Sequence, residues 1–319
     1  MTDVSSMMET MITGALPEEE IEAFLLELRR KGETAQDILA AAKVMRKHAV
    51  KLSREYPGVL DTCGTGGDCR NTFNVSTIAA IVACAASTSV AKHGNRAVSG
   101  ICGSADLLEM LGMRIDLPVE KTERMIEKTG FGFFFAPLFH PATKTAMPAR
   151  KRIQGKTIFN VLGPLTNPAG AKHQLMGVYE PRLVLLVAEV LLGLGVKRAM
   201  VVHGEDGMDE ISLTGKTMVA EVHNGTVHSY TLTPDDFGMK RCSLAGLQCS
   251  SKEESLQAAL DVLGGVWSAK MEIVCLNAGA AIYAAERAIS IREGIAMARR
   301  TLENGAALKK LNEIVEFSK

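Results

Sequence analysis

Apolar residues in the first fifty positions recur at helical spacing. Ile21, Phe24, Leu25 and Leu28 fall at i, i+3, i+4 and i+7, one face of a helix. Pro17 followed by Glu18, Glu19 and Glu20 suits the start of that helix, with acids near the positive end of its dipole. Thr34 with Asp37 three residues on resembles a capping box and predicts a second helix from Ala35 to about Leu52. Pro57-Gly58 marks the exit from this small helical unit. Beyond it the pattern changes. Short apolar runs alternate with Gly-rich turns and Ala-rich helices, as in an α/β protein with a central, mostly parallel sheet. Ser76 is expected to cap a helix over 77–86, and residues 89–92 to form a short strand before the turn His93-Gly94-Asn95. Residues 183–194 read as an apolar helix and 199–202 as a buried strand. The polar loop HGEDGMDE, residues 203–210, then lies at that strand's carboxyl end, where open α/β sheets gather ligands.

The 319 residues are 47% apolar and 23% charged, enough to build large cores without staples. Lys plus Arg and Asp plus Glu each total 36, which argues against nucleic acid held by a global positive field. Seven cysteines with no C-x-x-C pair suggest neither a disulfide framework nor a zinc knuckle, and Cys84 and Cys275 are expected in the core. The N-terminal stretch lacks a secretory pattern, and no run of about 20 apolar residues is present to span a membrane. A cytoplasmic location is expected.

Three motifs carry chemistry. Gly64-Thr65-Gly66-Gly67-Asp68 matches neither common nucleotide loop and, alone, serves equally well as a bare strand-to-helix turn. The continuation Asn71-Thr72-Phe73-Asn74-Val75-Ser76-Thr77 tilts the balance. Five short polar side chains crowd the approach to a helix start, where capping needs one and an anion is favoured. A phosphate or diphosphate site is therefore expected. Read alone, Asp68 is a charge in the wrong place, because a carboxylate in that ring repels the anion. Lys92-His93-Gly94-Asn95-Arg96 is either a solvated edge or, through the close approach Gly94 permits, a grip on phosphate oxygens. Ser99, Gly100, Gly103, Ser104 and Asp106 continue the small polar texture; Ser104 can serve a phosphate or cap a helix over 105–111. Asp209-Glu210 is either solvent-facing or a hard-cation site, with Ser76 in reach of the same ion. In the basic stretch Lys144, Arg150, Lys151, Arg152 and Lys156, most residues are solvated and one or two face a pocket. An inward arginine there would suit a substrate carboxylate.

Together the motifs resemble the anthranilate phosphoribosyltransferases, which catalyse the second step of tryptophan biosynthesis. The resemblance runs nearly end to end: GTGGD, NTFNVST, AKHGNR, GSADLLEMLG, FFFAPLFHPA, TIFNVLGPLTNPA, VVHGEDGMDEISLTG and CLNAGAAIY. It implies a helical domain of residues 1–56 plus roughly 150–170. An α/β domain of 57–149 and 171–319 completes the fold, with the active site between the two and a homodimeric assembly. It implies transfer of 5-phosphoribosyl from phosphoribosyl diphosphate (PRPP) to the amine of anthranilate, with magnesium (Mg2+) and without nucleic acid or membrane. Carried over by motif, Gly64, Gly67, Asp68, Thr72, Asn74, Val75, Ser76, Thr77, Lys92 and Ser104 look like the PRPP site. Gly64, His93, Asn95 and Arg150 look like contacts to anthranilate, and Ser76, Asp209 and Glu210 like magnesium ligands. No covalent catalyst is implied; Lys92 is the favoured electrostatic one. Two departures stand out: Gly100-Ile101 where the pattern has a Ser-Lys pair, and Lys156 where it has arginine. The alternatives are a pyrimidine nucleoside phosphorylase-like enzyme and a nucleic-acid-binding relative on the same fold.

Overall fold

A computed structural model describes residues 3–97 and 100–319, so Ser99 lies outside the described residues. The chain opens with three helices. Helix α1 (Val4–Ile12) is capped by Asp3, whose carboxylate accepts from the Ser5 N–H. Helix α2 (Glu18–Lys31) begins after Pro17 and buries the stripe Ile21, Phe24, Leu25 and Leu28. Its first turn is acidic and its last turn basic, so both ends complement the helix dipole. Helix α3 (Ala35–His48) starts at the expected box, with Asp37 N donating to Thr34 Oγ1 and Thr34 N donating to Asp37 Oδ2. It ends short of Leu52 because the chain turns extended at Ala49 and Val50 N donates to the Phe139 carbonyl instead.

The α/β part follows as β1 (Leu60–Gly64), α4 (Val75–Ala85), β2 (Val90–Gly94), α5 (Ser104–Met110), α6 (Val119–Thr129) and β3 (Phe131–Phe135). Three short helices, α7 (Ala136–Phe139), α8 (Met147–Arg152) and α9 (Phe159–Leu165), then return the chain to the helical unit. There α8 packs on α2 and α9 on α3. The sheet resumes with β4 (His173–Gly177), α10 (Leu183–Gly193), β5 (Arg198–Gly204) and the hairpin β6 (Thr217–His223) and β7 (Thr226–Leu232). Helices α11 (Lys252–Leu263), α12 (Ala269–Ala284), α13 (Ile291–Glu303) and α14 (Ala306–Ser318) close the fold.

The seven strands are ordered β3-β2-β1-β4-β5-β6-β7; the first five run parallel and the last two form an antiparallel edge. One face is covered by α4 and α11–α14, around an apolar core that includes Ile78, Cys84, Leu107 and Cys275. On the other face α10 and the helical unit share a second core, running from Met8 and Ile38 through Leu162 to Val187 and Val201. Winding reverses between β1 and β4, so a crevice opens where their carboxyl ends diverge. Both strands end there on paired glycines, Gly64 and Gly177.

Several local expectations are corrected. Helix α4 starts at Val75 after Asn74, so Ser76 sits in the first turn and does not cap it. Helix α5 starts at Ser104 itself, and Asp106 closes that end by accepting from the N–H groups of Gly103 and Ala97, each at 2.9 Å. Strand β2 extends to Gly94, which draws Lys92 and His93 into the sheet as buried residues. Of the basic stretch only 147–152 is α-helical; Lys144 lies in a 3-10 turn and Lys156 beyond the helix end.

Candidate active site

The crevice is built on close backbone approach. The backbone carbonyl of Asp209 lies against Gly177 and its carboxylate against Gly64, so a Cβ at either glycine would collide with it. Asp209 Oδ2 accepts from the Gly66 N–H at 2.9 Å, and Glu210 Oε1 accepts from the Ser76 N–H at 3.1 Å. One acidic dipeptide therefore touches both the glycine loop and the first turn of α4. Burial first of all, and then the Asp68 carboxylate, pushes Asp209 up to about 7. Burial, joined by Asp209, pushes Glu210 well above the usual carboxylate range. Like charges gathered away from water call for a counter-cation. Among the described residues no three His, Cys, Asp or Glu side chains form a metal cage. A pair of carboxylates is nevertheless the protein share of the donor set Mg2+ commonly takes, the rest coming from water or a substrate rather than an all-protein cage.

The positive side comes from β2 and α4. Lys92 is 1% exposed, and its ammonium donates to the Thr62 carbonyl. Burial lowers its pKa while the carboxylates of Asp61 and Glu210 draw it back up. Thr62 Oγ1 donates to the Ser76 carbonyl at 2.9 Å, locking β1 to the start of α4. The Thr77 hydroxyl is buried there and has no partner among the described residues. Gly66 and Gly67 adopt positive φ (62° and 72°), which turns their backbone into the concave loop an anion needs. Asp68 Oδ1 accepts from the Arg70 N–H at 3.3 Å, a local turn contact. Phe73 N donates to the Leu247 carbonyl and Cys249 N to the Asn71 carbonyl, so Thr72 is held by a bridge to Gln248.

Other members of the set are committed to the scaffold. The Asn74 amide donates to the Cys102 carbonyl and accepts from Ser255 Oγ, tying α4 to α11. The Val75 side chain is in the core, leaving only its backbone to a ligand. Ser104 Oγ packs against Gly94 and donates to the Asn95 carbonyl at 3.2 Å. Asn95 is exposed, and its own carbonyl Oδ1 accepts from Arg96 N. Arg96 does not turn inward: it pairs with Glu109, removing it as a phosphate grip.

Toward the helical unit, the Arg150 guanidinium stacks over Phe159 at 4.8 Å and, among the described residues, forms no ion pair. His93 lies against α9, with Nδ1 at 3.0 Å from the Gly163 carbonyl. That contact requires the proton on Nδ1 and leaves Nε2 as a buried acceptor without a partner among the described residues. Sequence reasoning passed over two residues here. The His140 ring lies 5.0 Å from that of His93, and its Nε2 is likewise buried and unpartnered. Burial lowers His93 to about 3 and His140 to about 4, so both imidazoles are neutral. Asp61, a charge inside the apolar run of β1, accepts from His93 N at 3.2 Å and Asn167 Nδ2 at 2.8 Å. It thereby pins β2 and the segment after α9 to one strand.

Comparison with known proteins gives this geometry a context. The helical bundle domain of the Glycosyl transferase family matches residues 2–49, and the a/b domain of that family matches residues 56–308. The chain is 47% identical over 317 residues to the anthranilate phosphoribosyltransferase of Alkalilimnicola ehrlichii, covering 99% of this chain and 94% of that relative. It is 48% identical over 317 residues to the enzyme of Laribacter hongkongensis, with 99% and 93% covered. The crystal structure of anthranilate phosphoribosyltransferase from Thermus thermophilus superposes with a TM-score of 0.92 at 42% identity, covering 99% of this chain and 94% of that one. The Saccharomyces cerevisiae enzyme in complex with PRPP and Mg gives 0.85 at 29% identity, covering 94% of this chain and 85% of that one. A pyrimidine nucleoside phosphorylase or a nucleic-acid-binding relative is not favoured. By likeness over almost its whole length, in sequence and in fold, the chain belongs to the anthranilate phosphoribosyltransferases, pentosyltransferases of the two-domain glycosyl transferase family.

Proposed function

We propose that the crevice at the ends of β1 and β4 is where PRPP and Mg2+ bind, and that anthranilate enters from the side of α8 and α9. The observation that carries this is the grip of Asp209-Glu210 on both the glycine loop and α4, at 2.9 and 3.1 Å. In this reading Asp209, Glu210 and the Ser76 hydroxyl hold the metal, which when bound would supply positive charge to the departing diphosphate. The backbone N–H groups of Gly67 and Thr77, which the acidic pair leaves free, with the Thr77 hydroxyl, take the phosphate oxygens. Lys92 adds charge from beneath. Asp68 orients the ribose through its hydroxyls, and Arg150 pairs with the anthranilate carboxylate.

An aromatic amine is neutral and nucleophilic at pH 7, so the chain need not supply a strong base. The barrier lies in breaking the C1–O bond, which builds positive charge on ribose and negative charge on the leaving group. Lys92 and the converging N–H groups lower it by fixed electrostatics, and the two binding faces by positioning. The unpartnered His93 Nε2 would orient the amine by accepting one of its N–H bonds. We further assign residues 1–56 and roughly 150–170 to the helical domain, the rest to the α/β domain, and propose a cytoplasmic homodimer; among the described residues no helix is long and apolar enough to cross a membrane.

The test is the fluorescence of anthranilate as it is consumed with PRPP and Mg2+. Asp209→Asn combined with Glu210→Gln is expected to remove turnover almost entirely. Rates close to wild type in that double variant would sink the metal assignment.

A further inference from the structure

Lys156 belongs to none of the site assignments above. It lies in the link between α8 and α9, at the seam of the helical unit and the sheet. Its ammonium rests 3.3 Å from the centroid of the Tyr179 ring. A side chain placed at Gly67 would begin 3.1 Å from Lys156 Cε and 3.6 Å from Nζ, so the lysine's end lies flat against the glycine loop. Tyr179 is itself fixed to that loop, since its N–H donates to Thr65 Oγ1 at 3.0 Å. Thr65 N in turn donates to the Gly177 carbonyl at 3.0 Å. The loop is thus held from below by Gly177 and Asp209, and one cation covers its outer side.

That cation is uncommitted. Arg152 is paired with Glu18 and Glu22, Arg96 with Glu109 and Lys252 with Asp106, whereas Lys156, like Arg150 and Arg70, has no ion pair among the described residues. Glu180, close to Lys156, is paired with Arg182 at 3.0 Å. Among the described residues no carboxylate lies within ion-pair distance of Lys156; Asp68, Asp209 and Glu180 act on it only at longer range. An aromatic face retains an ammonium weakly, enough to park it without neutralising it. A compact charge with three donors, released without breaking an ion pair, is suited to phosphate oxygens.

We propose that Lys156 is a positioning residue for PRPP: parked on Tyr179 against Gly67, it moves onto the phosphate oxygens of the substrate and holds the glycine loop over them. The seam thereby contributes a charge to the phosphate site that neither the glycine loop nor the acidic pair carries. The inference rests on the reading of this loop as the PRPP site.

Steady-state kinetics on the full chain test it, with PRPP and anthranilate varied in turn. Lys156→Met is expected to raise the KM for PRPP by roughly tenfold, the scale of one charge-assisted hydrogen bond. The kcat and the KM for anthranilate should stay within about threefold, and Lys156→Arg should recover most of the PRPP affinity. A packing role predicts instead that Lys156→Arg is as impaired as Lys156→Met, or that all three parameters move together; either result overturns the proposal. Thr77→Val, at the phosphate end of α4, separates the two levels. If Thr77→Val weakens PRPP and Lys156→Met does not, the lysine assignment alone falls. If neither does, the site reading falls and takes this inference with it.

Discussion

His93 and His140 show how burial sets the chemistry of single residues here. Each is withdrawn from water, and their folded pKa values of about 3 and about 4 lie below the ordinary 6.5. As pH falls below 6.5 the unfolded chain binds protons that the folded one refuses, so stability is lost on acidification from about 6.5 downward. For a group like His140 the loss between pH 7 and 5 is roughly 2 kcal/mol. His140→Gln should therefore flatten the fall in urea-unfolding free energy between those two pH values; an unchanged slope would mean the ring is hydrated in solution. The same reasoning separates Asp209 and Glu210 from solvent-facing acids. Their raised pKa values come from enclosure and from neighbouring carboxylates, which fits the proposal that the pair holds a cation.

At the scale of elements, the site depends on where two strands stop. Strands β1 and β4 end in register on glycines, and the 205–210 loop drops into the space that two missing side chains leave. Gly177→Ala would place a methyl on the Asp209 carbonyl, forcing that loop outward. A carboxylate displaced by about 1 Å should cost on the order of 100-fold in kcat, with a melting temperature lowered by the overpacking. Turnover at the wild-type rate would show that the loop is placed by something else. Much at this scale is legible in the sequence. The stripe on α2, the box at Thr34 and the apolar run of α10 follow from periodicity and capping alone. Capping rules place the starts of α4 and α5 one or two residues late, because Asn74 and Gly103 precede those helices without the side-chain cap bond expected of Ser76 and Ser104. The hairpin β6–β7 turns on Asn224-Gly225, both at positive φ, a signal that the sequence carries and that periodicity alone overlooks.

Across the whole molecule, the helical unit is joined to the sheet by one continuous apolar core and by polar ties at the seam. Arg46 Nε donates to the Leu165 carbonyl at 2.8 Å, satisfying the end of α9, and Arg29 Nη1 donates to the Gln154 carbonyl at 2.6 Å. All seven cysteines are free, so no covalent link supports this seam. The proposed homodimer predicts a light-scattering mass twice the 34.2 kDa of one chain; a single-chain mass at micromolar concentration would overturn it. By itself the sequence determined the N-terminal helices, α10, the α/β class and the motif set, because capping, periodicity and glycine placement act over a few neighbouring residues. Only the tertiary structure decided which of those motifs converge. Asp209 meets Gly64 and Gly66 across more than a hundred residues, Asn74 is drawn into the scaffold, Arg96 turns to Glu109 on the surface, and His140 and Asp61 come together with His93 from segments whose local pattern is silent. Burial and long-range contact, which set those charges and distances, exist only once the strand order is established.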